Sequence, residues 1–244
     1  MSALSVPILL DLWERGLVQQ PFEWAMALLS SAYPGLGEQE LFNLSIGQRN
    51  TYLLTLREWA FGTKLACQVS CPRCQKLLEM TLNTNDLKVS TNIEHNPVLL
   101  LERDEYELRF RLPNSRDLAL ITGINDIPLA RQQILAACLL EAWYKKQPCS
   151  IEALPTELVQ AMIEQMEQAD PQADMQFDLA CPACQHQWET SFDMVSFFWR
   201  EIDRWARQTL RDIHTLAAAY GWHEAEILRL SPLRRQLYLN MVNQ

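Results

Sequence analysis

Residues 64–83 read KLACQVSCPRCQKLLEMTLN, and residues 175–192 read MQFDLACPACQHQWETSF. In each stretch a Cys-Pro-x-Cys turn lies between two short strand candidates, at 64–70 and 76–83 in the first copy and at 175–180 and 186–192 in the second. The second copy follows the first at a constant offset of 110 residues. The matched pairs are Cys71/Cys181, Cys74/Cys184, Gln75/Gln185, Glu79/Glu189 and Leu82/Phe192. The match is short, so it indicates a duplicated element and not a repeat protein.

The two turns supply four candidate metal ligands, Cys71, Cys74, Cys181 and Cys184. Zinc prefers four ligands in a tetrahedron, and thiolates serve it well. Because 106 residues separate the two turns, the pattern predicts a zinc ribbon split by a long insertion. Four protein ligands would leave no position for a reactive water. We therefore expect one structural zinc ion per chain.

Other interpretations of these cysteines stay open. A Cys-x-x-Cys pair can be a redox site, although that motif opens a helix and these pairs lie between strands. The turns could also bind separate metals, or none. Cys67 is close enough in sequence to be a spare ligand, whereas Cys138 and Cys149 are typical of ordinary core or surface positions. Arg73, Lys76 and His186 could offset the excess negative charge of four thiolates.

Helical patterns occupy most of the remaining chain. Residues 7–19 and 22–32 carry helical apolar spacing, and Ser45 with Gln48 forms a capping box for a third helix that Gly62 can end. Later helices are predicted from Asp126 to about Tyr144, over 156–168, from Asp193 to Gly221, and in two short segments, the last starting at Ser231-Pro232. An alternating strand at 105–112 is predicted to form a hairpin with Val98–Leu101.

These elements predict an α+β, mainly helical fold in which long helices surround the split four-cysteine zinc ribbon and one additional β-hairpin. We expect one integrated domain over residues 1–244. Its parts are N-terminal helices at 1–63, the first knuckle at 64–84, a hairpin and helical insertion at 85–174, the second knuckle at 175–193 and C-terminal helices at 194–244.

Composition limits the classes of function. The net charge of -9 and the pI near 5.0 argue against general nucleic-acid binding and favour protein partners. The first residues lack the features of a signal peptide, and no apolar run is long enough for a bilayer, so we expect a cytoplasmic protein without a membrane partner. Seven cysteines in such a chain favour metal binding over disulfides.

Catalytic signatures are missing from the sequence. It contains no nucleophile elbow, phosphate-binding loop, dinucleotide fingerprint or HExxH pair. Asp212 beside His214 fits a solvated helix face better than a catalytic dyad. The sequence therefore predicts a protein that is not an enzyme.

The C-terminal segment is a candidate partner surface. An apolar series runs through Ile227, Leu230, Leu233, Leu237, Tyr238 and Met241. It could cover the protein's own core, or it could present a helix face to a groove on a partner. Trp222, Arg234 and Arg235 accompany the series as candidate contact residues.

Three stretches resemble a known family. They are Arg111–Leu118, with the sequence RLPNSRDL; the second knuckle with Trp188, Phe192 and the long helix; and the run from Asp212 through AYGWHEAEIL at 219–228 to Tyr238-Leu239. Together they resemble the baseplate hub assembly chaperones of T-even-type phages and similar proteins encoded with phage-tail-like contractile injection systems. The resemblance covers mainly 105–122 and 175–244, and the zinc knuckles are not associated with every member of that family.

The resemblance implies an assembly chaperone, or a minor structural component, for the baseplate or hub of a contractile tail or injection particle. Its partners would be tail and baseplate hub proteins, met in the cytoplasm or in the finished particle. The alternative is a zinc-ribbon regulator that binds nucleic acid or the transcription machinery through Lys64, Arg73 and Lys76. The acidic balance opposes this alternative.

Overall fold

A computed structural model of the protein describes residues 4–88 and 98–242. Its α-helices are α1 (Val6–Gly16), α2 (Pro21–Ala32), α3 (Glu38–Asn43), α4 (Ile46–Phe61), α5 (Thr84–Leu87), α6 (Ser115–Leu120), α7 (Ile127–Cys138), α8 (Thr156–Ala169), α9 (Met194–Tyr220), α10 (Glu224–Arg229) and α11 (Pro232–Val242). Its strands are β1 (Lys64–Ser70), β2 (Leu77–Asn83), β3 (Val98–Arg103), β4 (Tyr106–Arg111), β5 (Leu139–Tyr144), β6 (Gln147–Pro148), β7 (Met175–Ala180) and β8 (Gln187–Phe192). None of the described helices is both long and apolar enough to cross a membrane. The α+β, mainly helical fold is therefore confirmed.

Among the residues that the structure describes, all strand pairs are antiparallel and form three small sheets. β1 pairs with β2, and β7 pairs with β8, so each Cys-Pro-x-Cys turn joins the strands of its own hairpin. The third sheet has the order β3-β4-β5-β6. The sequence predicts both cysteine hairpins and the β3–β4 hairpin, and all three are confirmed.

Several helices begin or end at the capping residues that the sequence predicts. Ser45 Oγ accepts a hydrogen bond from Gln48 N (3.1 Å), and Gln48 Oε1 accepts one from Ser45 N (2.9 Å), which completes the predicted capping box of α4. Asp193 accepts hydrogen bonds from two backbone N–H groups at the start of α9. Gly221 ends that helix with φ 70°, a left-handed conformation that glycine adopts without a steric cost.

The 27-residue helix α9 packs against three helices of the N-terminal half, α1, α2 and α4. Its buried side chains, including Phe198, Ile202 and Ala206, join a core with residues of α1, α2 and α4. Trp13 Nε1 of α1 donates a hydrogen bond to Asp203 Oδ1 of α9 (3.0 Å).

Arg57 connects α4, the first cysteine hairpin and α9. Its side chain is 2% exposed and makes a two-pronged contact with Glu201, at 2.7 Å from Nε and 2.6 Å from Nη2. It also donates to the carbonyl oxygens of Gly62 and Lys64 at the junction between α4 and β1. A buried guanidinium requires such partners, because leaving it unpaired would cost several kcal/mol.

A second core lies between the four-stranded sheet and helices α7 and α8. Leu108 and Phe110 of β4 pack there with Leu135 of α7 and Met162 of α8. At the edge of this core Arg111 binds Asp117 with two short contacts, of 2.6 and 2.7 Å, and donates to Ala137 O (2.9 Å). Asp117 also accepts a hydrogen bond from Asn114 N (2.9 Å), which forms part of the capping box at the start of α6.

One predicted helix is too long. The sequence predicts a helix from Asp126 to about Tyr144, but α7 ends at Cys138 and residues Leu139–Tyr144 form β5. The run has good helix formers, yet Leu108 pairs with Ala142 and Phe110 with Leu139, which buries both β4 residues. This long-range pairing outweighs the local helix preference, because intrinsic preferences are worth less than one kcal/mol per residue.

Candidate functional site

The four predicted ligand cysteines meet in space. The Sγ atoms of Cys71, Cys74, Cys181 and Cys184 all lie within 4.8 Å of one another, although the two pairs are more than 100 residues apart in the chain. Across the hairpins, Cys71 Sγ is 3.7 Å from Cys184 Sγ, and Cys74 Sγ is 3.6 Å from Cys181 Sγ. Within residues 4–88 and 98–242, this is the one group of metal-binding side chains so arranged.

The two turns have the same backbone geometry. Cys71 N donates to Lys76 O (3.0 Å) and Gln75 N to Cys71 O (2.9 Å), while Cys181 N donates to His186 O (2.9 Å) and Gln185 N to Cys181 O (2.8 Å). The residue after the second cysteine has a positive φ in both copies, 59° at Gln75 and 58° at Gln185. The duplication seen in the sequence therefore extends to the conformation of the turn.

The spacing of the sulfur atoms fits a tetrahedral metal. Zinc–sulfur bonds of about 2.3 Å place the sulfurs at the corners of a tetrahedron roughly 3.8 Å apart, close to the cross-hairpin distances. A disulfide would require about 2.05 Å, so the thiols are unbonded to one another. Cys71 and Cys181 are buried, whereas Cys74 is exposed and Cys184 is half-buried, so a metal would have one side open to solvent.

The four thiols do not hold their protons equally. The backbone N–H of Cys184 is the main cause that lowers the pKa of the Cys181 thiol to about 6. At Cys184 the backbone N–H of His186 lowers the pKa, but burial and the neighbouring thiols outweigh it and raise the pKa to about 12. Four thiolates at this distance repel one another, and a divalent cation would remove that repulsion.

The other cysteines lie outside the cluster. Cys67 is a half-buried residue of β1, and burial is the main cause that raises the pKa of its thiol. Cys138 is buried next to Asp117, and Cys149 is half-buried. Arg73 and Lys76 are exposed near the first turn, and His186 stacks on Trp188 with 5.9 Å between ring centroids.

The C-terminal candidates divide between the interior and the surface. Ile227 is fully buried and packs with Ile213, Leu216 and Leu239 in a third small core, and Arg235 is also buried. Trp222 and Tyr238 are half-buried, with their ring centroids 4.9 Å apart. Leu230 is half-buried, and Arg234 is exposed.

An apolar stripe remains on the outer face of α11. Leu233, Leu237 and Met241 are 71%, 50% and 61% exposed. Because they recur every four residues, they lie in one row along the helix. We refer to these three side chains as the α11 stripe.

Sequence reasoning missed a buried polar cluster at the start of α4. Asp170, from the end of α8, accepts a hydrogen bond from Gly47 N (2.9 Å), and Asn50 Nδ2 donates to Gln172 O (3.1 Å). Burial raises the pKa of Asp170, and burial lowers the pKa of Arg49 beside it to about 10. These hydrogen bonds join residues more than 120 positions apart, and no local sequence motif predicts them.

Fold and site together define an α+β, mainly helical protein in which a four-thiol centre joins two β-hairpins. Residues 23–199 match the family described as T4 bacteriophage base plate protein, and the chain belongs to this family. No curated protein and no solved structure matches the chain significantly. The matched region contains both cysteine pairs, and the family supports a role related to a phage baseplate.

Proposed function

We propose that this protein is a non-enzymatic assembly factor, or a minor structural component, for the baseplate hub of a contractile phage-like tail or injection system. Membership of the T4 base plate protein family carries the proposal. Its partners would be hub and tail proteins of the same particle, met in the cytoplasm where such a particle is assembled. The acidic net charge of -9 suits a soluble partner-binding protein.

The α11 stripe is the surface that we assign to a hub or tail partner. Leu233, Leu237 and Met241 present a row of apolar side chains to solvent, the arrangement that binds an apolar groove. The exposed Arg234 lies beside the row. The third core, through Ile227 and Leu239, holds the helix against α9.

Affinity capture with the tail and baseplate proteins encoded nearby tests this assignment. Wild type should retain at least one of them, and the double variant Leu233→Asp/Leu237→Asp should lose it, because two aspartates cannot enter an apolar groove. Gln236→Asp/Asn240→Asp is the matched control, since it adds the same charge to exposed positions of α11 outside the stripe. Recovery of no baseplate protein by wild type would refute the proposed function, whereas equal capture by both double variants would refute only the role of the stripe.

We further propose that the four-thiol centre holds one structural zinc ion. The donor set of four cysteines and the spacing of their sulfurs support zinc, which binds thiolates in a tetrahedron. Such a metal has no open position, so Cys71, Cys74, Cys181 and Cys184 would serve folding and not chemistry.

Metal analysis of purified variants tests this site. Wild type should contain about one zinc per chain, and Cys181→Ser should contain far less and unfold with lower cooperativity, because the binding energy of a structural zinc is part of the folding energy. Cys149→Ser is the control, since Cys149 lies outside the cluster. Unchanged zinc content in Cys181→Ser would contradict a shared site.

A further inference from the structure

The two cysteine hairpins are separated by an open cleft. It has a volume of about 280 Å³, its walls come from β1, β2, β7 and β8, and its floor is helix α9. The hairpin residues that line it are largely apolar, and five of them are half-buried: Val69, Met80, Leu82, Phe177 and Phe192. The hairpins therefore do not fill the space between them.

The size of the cleft limits what could occupy it. Sites for small-molecule ligands usually have volumes of roughly 300–1,000 Å³, so the volume of this cleft lies just below that range. One large apolar side chain of a peptide would fit between the apolar walls. The residues on either side of it could continue through the open mouth in an extended conformation. Extended segments also bind readily beside two-stranded sheets, whose outer edges keep free N–H and C=O groups.

Charge at the mouth distinguishes between partners. Asp193 and Glu201 line the cleft, but Asp193 accepts hydrogen bonds from the first turn of α9, and Glu201 is held by Arg57. Arg200 and Arg204 are exposed on the same face of α9. Within residues 4–88 and 98–242, Arg200 donates only to Ser196 O in its own helix, and Arg204 forms no hydrogen bond or ion pair. Both acids have partners, whereas neither arginine is paired with an acid among the described residues, so the mouth favours an anionic group.

We propose that this cleft binds an extended segment of a partner protein, with one large apolar side chain between the hairpins and an Asp or Glu nearby on Arg200 and Arg204. The surface is separate from the α11 stripe, and the inference does not depend on which particle the protein serves. The apolar walls, and a lining in which Arg200 and Arg204 are the cations, favour a peptide over a nucleic acid, because nucleic-acid binding depends on many phosphate contacts.

Selection from a random peptide display library on the whole, metal-loaded protein tests the proposal. Enriched peptides should combine Leu, Met or an aromatic residue with Asp or Glu within a few positions. The variant Arg200→Glu/Arg204→Glu should bind a synthetic copy of an enriched peptide roughly tenfold more weakly or worse. Arg211→Glu is the control, because Arg211 is an exposed residue of α9 outside the cleft.

An uncharged substitution shows whether weaker binding comes from the cleft itself or from the change in net charge. Met80→Trp should fill part of the cavity and weaken the same peptide by a similar factor, whereas Leu77→Trp, at an exposed position of the same strand that does not line the cleft, should not. Failure to enrich any peptide, or binding by Arg200→Glu/Arg204→Glu and by Met80→Trp equal to that of wild type, would overturn the proposal. Binding of a single-stranded oligonucleotide that depends on Arg204, without peptide binding, would overturn it in favour of nucleic acid.

Discussion

Gly47, in the first turn of α4, lies against the carboxylate of Asp170, which follows α8 in the chain. A Cβ atom at this position would lie 1.8 Å from Asp170 Oδ1 and 2.6 Å from Asp170 Cγ. In an open helical position the change from Gly to Ala stabilises by about 0.5–1 kcal/mol, but here the added methyl group must displace a buried acid. Position 47 therefore requires glycine because Asp170 packs against it, and not because of the local helix geometry.

We predict that Gly47→Ala lowers the free energy of unfolding by about 1–3 kcal/mol, the usual effect of overpacking. Gly35→Ala is the control, because no atom lies within 4 Å of the position that its Cβ would take, and we expect a change of less than about 0.5 kcal/mol. Urea unfolding followed by tryptophan fluorescence measures both. Equal midpoints for the two variants would show that Asp170 moves away without cost.

At the residue level the sequence revealed the thiols but not the polar cluster. Cys71 and Cys181 each belong to a Cys-Pro-x-Cys turn. A tetrahedral metal site needs two such pairs of thiols, so the repeated turn predicts that the two pairs lie together. Gly47 and Asp170 carry no such signal. Their partnership depends on how α4 and α8 pack, which local patterns do not determine.

At the scale of elements, α1 and α9 are linked by a polar contact at the rim of the first core. Asp203 accepts hydrogen bonds from Arg207 Nε (2.9 Å) and from Trp13 Nε1 (3.0 Å). Arg207 is the main cause that lowers the pKa of this carboxyl from its ordinary value of 3.8, and Trp13 adds to the effect. The folded state therefore binds a proton at Asp203 less readily than the unfolded state.

This difference predicts a pH dependence of stability. The contribution of ionised Asp203 is fully present above its unfolded pKa and is lost as the pH falls through the lower pKa of the folded state. Asp203→Asn should therefore be less stable than wild type at neutral pH, and the difference should shrink as the pH falls below 3.8, the ordinary pKa of this carboxyl. Urea midpoints of the two proteins across this range measure it. A difference that stays constant with pH would contradict the prediction.

Element boundaries were predictable where a residue caps them locally. Ser45, Asp193 and Gly221 each act within one turn of the chain, and the helices begin or end there as predicted. The end of α7 is different, because only the pairing of Ala142 with Leu108 shows that the following residues form a strand. That partner lies more than 30 positions earlier in the chain.

At the scale of the whole molecule, the buried apolar residues that the structure describes form three separate cores. The first core surrounds α9, the second lies under the four-stranded sheet, and the third lies below α11. We propose that residues 1–244 nevertheless unfold as one domain, because the four-thiol centre joins both ends of the segment that contains the second core. In the chain-entropy description, a cross-link around a loop of this length stabilises by roughly 4–5 kcal/mol.

Removal of the metal should therefore reduce the cooperativity of unfolding. We expect one urea transition for the metal-loaded protein, coincident by fluorescence and by circular dichroism. After chelation under reducing conditions, the transition should broaden or separate into two, with a lower slope against denaturant. Cys149→Ser, loaded with metal, should behave as wild type. A single transition of unchanged slope after chelation would contradict the prediction.

The distance between the two cysteine pairs along the chain also has a consequence for synthesis on the ribosome. Cys181 leaves the exit tunnel 110 residues after Cys71, which at 5–20 residues per second is a delay of roughly 6–22 s. Throughout this interval the first hairpin contributes only two of the four thiols of the centre. Assembly of the four-thiol centre therefore requires the first two thiols to stay reduced until translation delivers the other two.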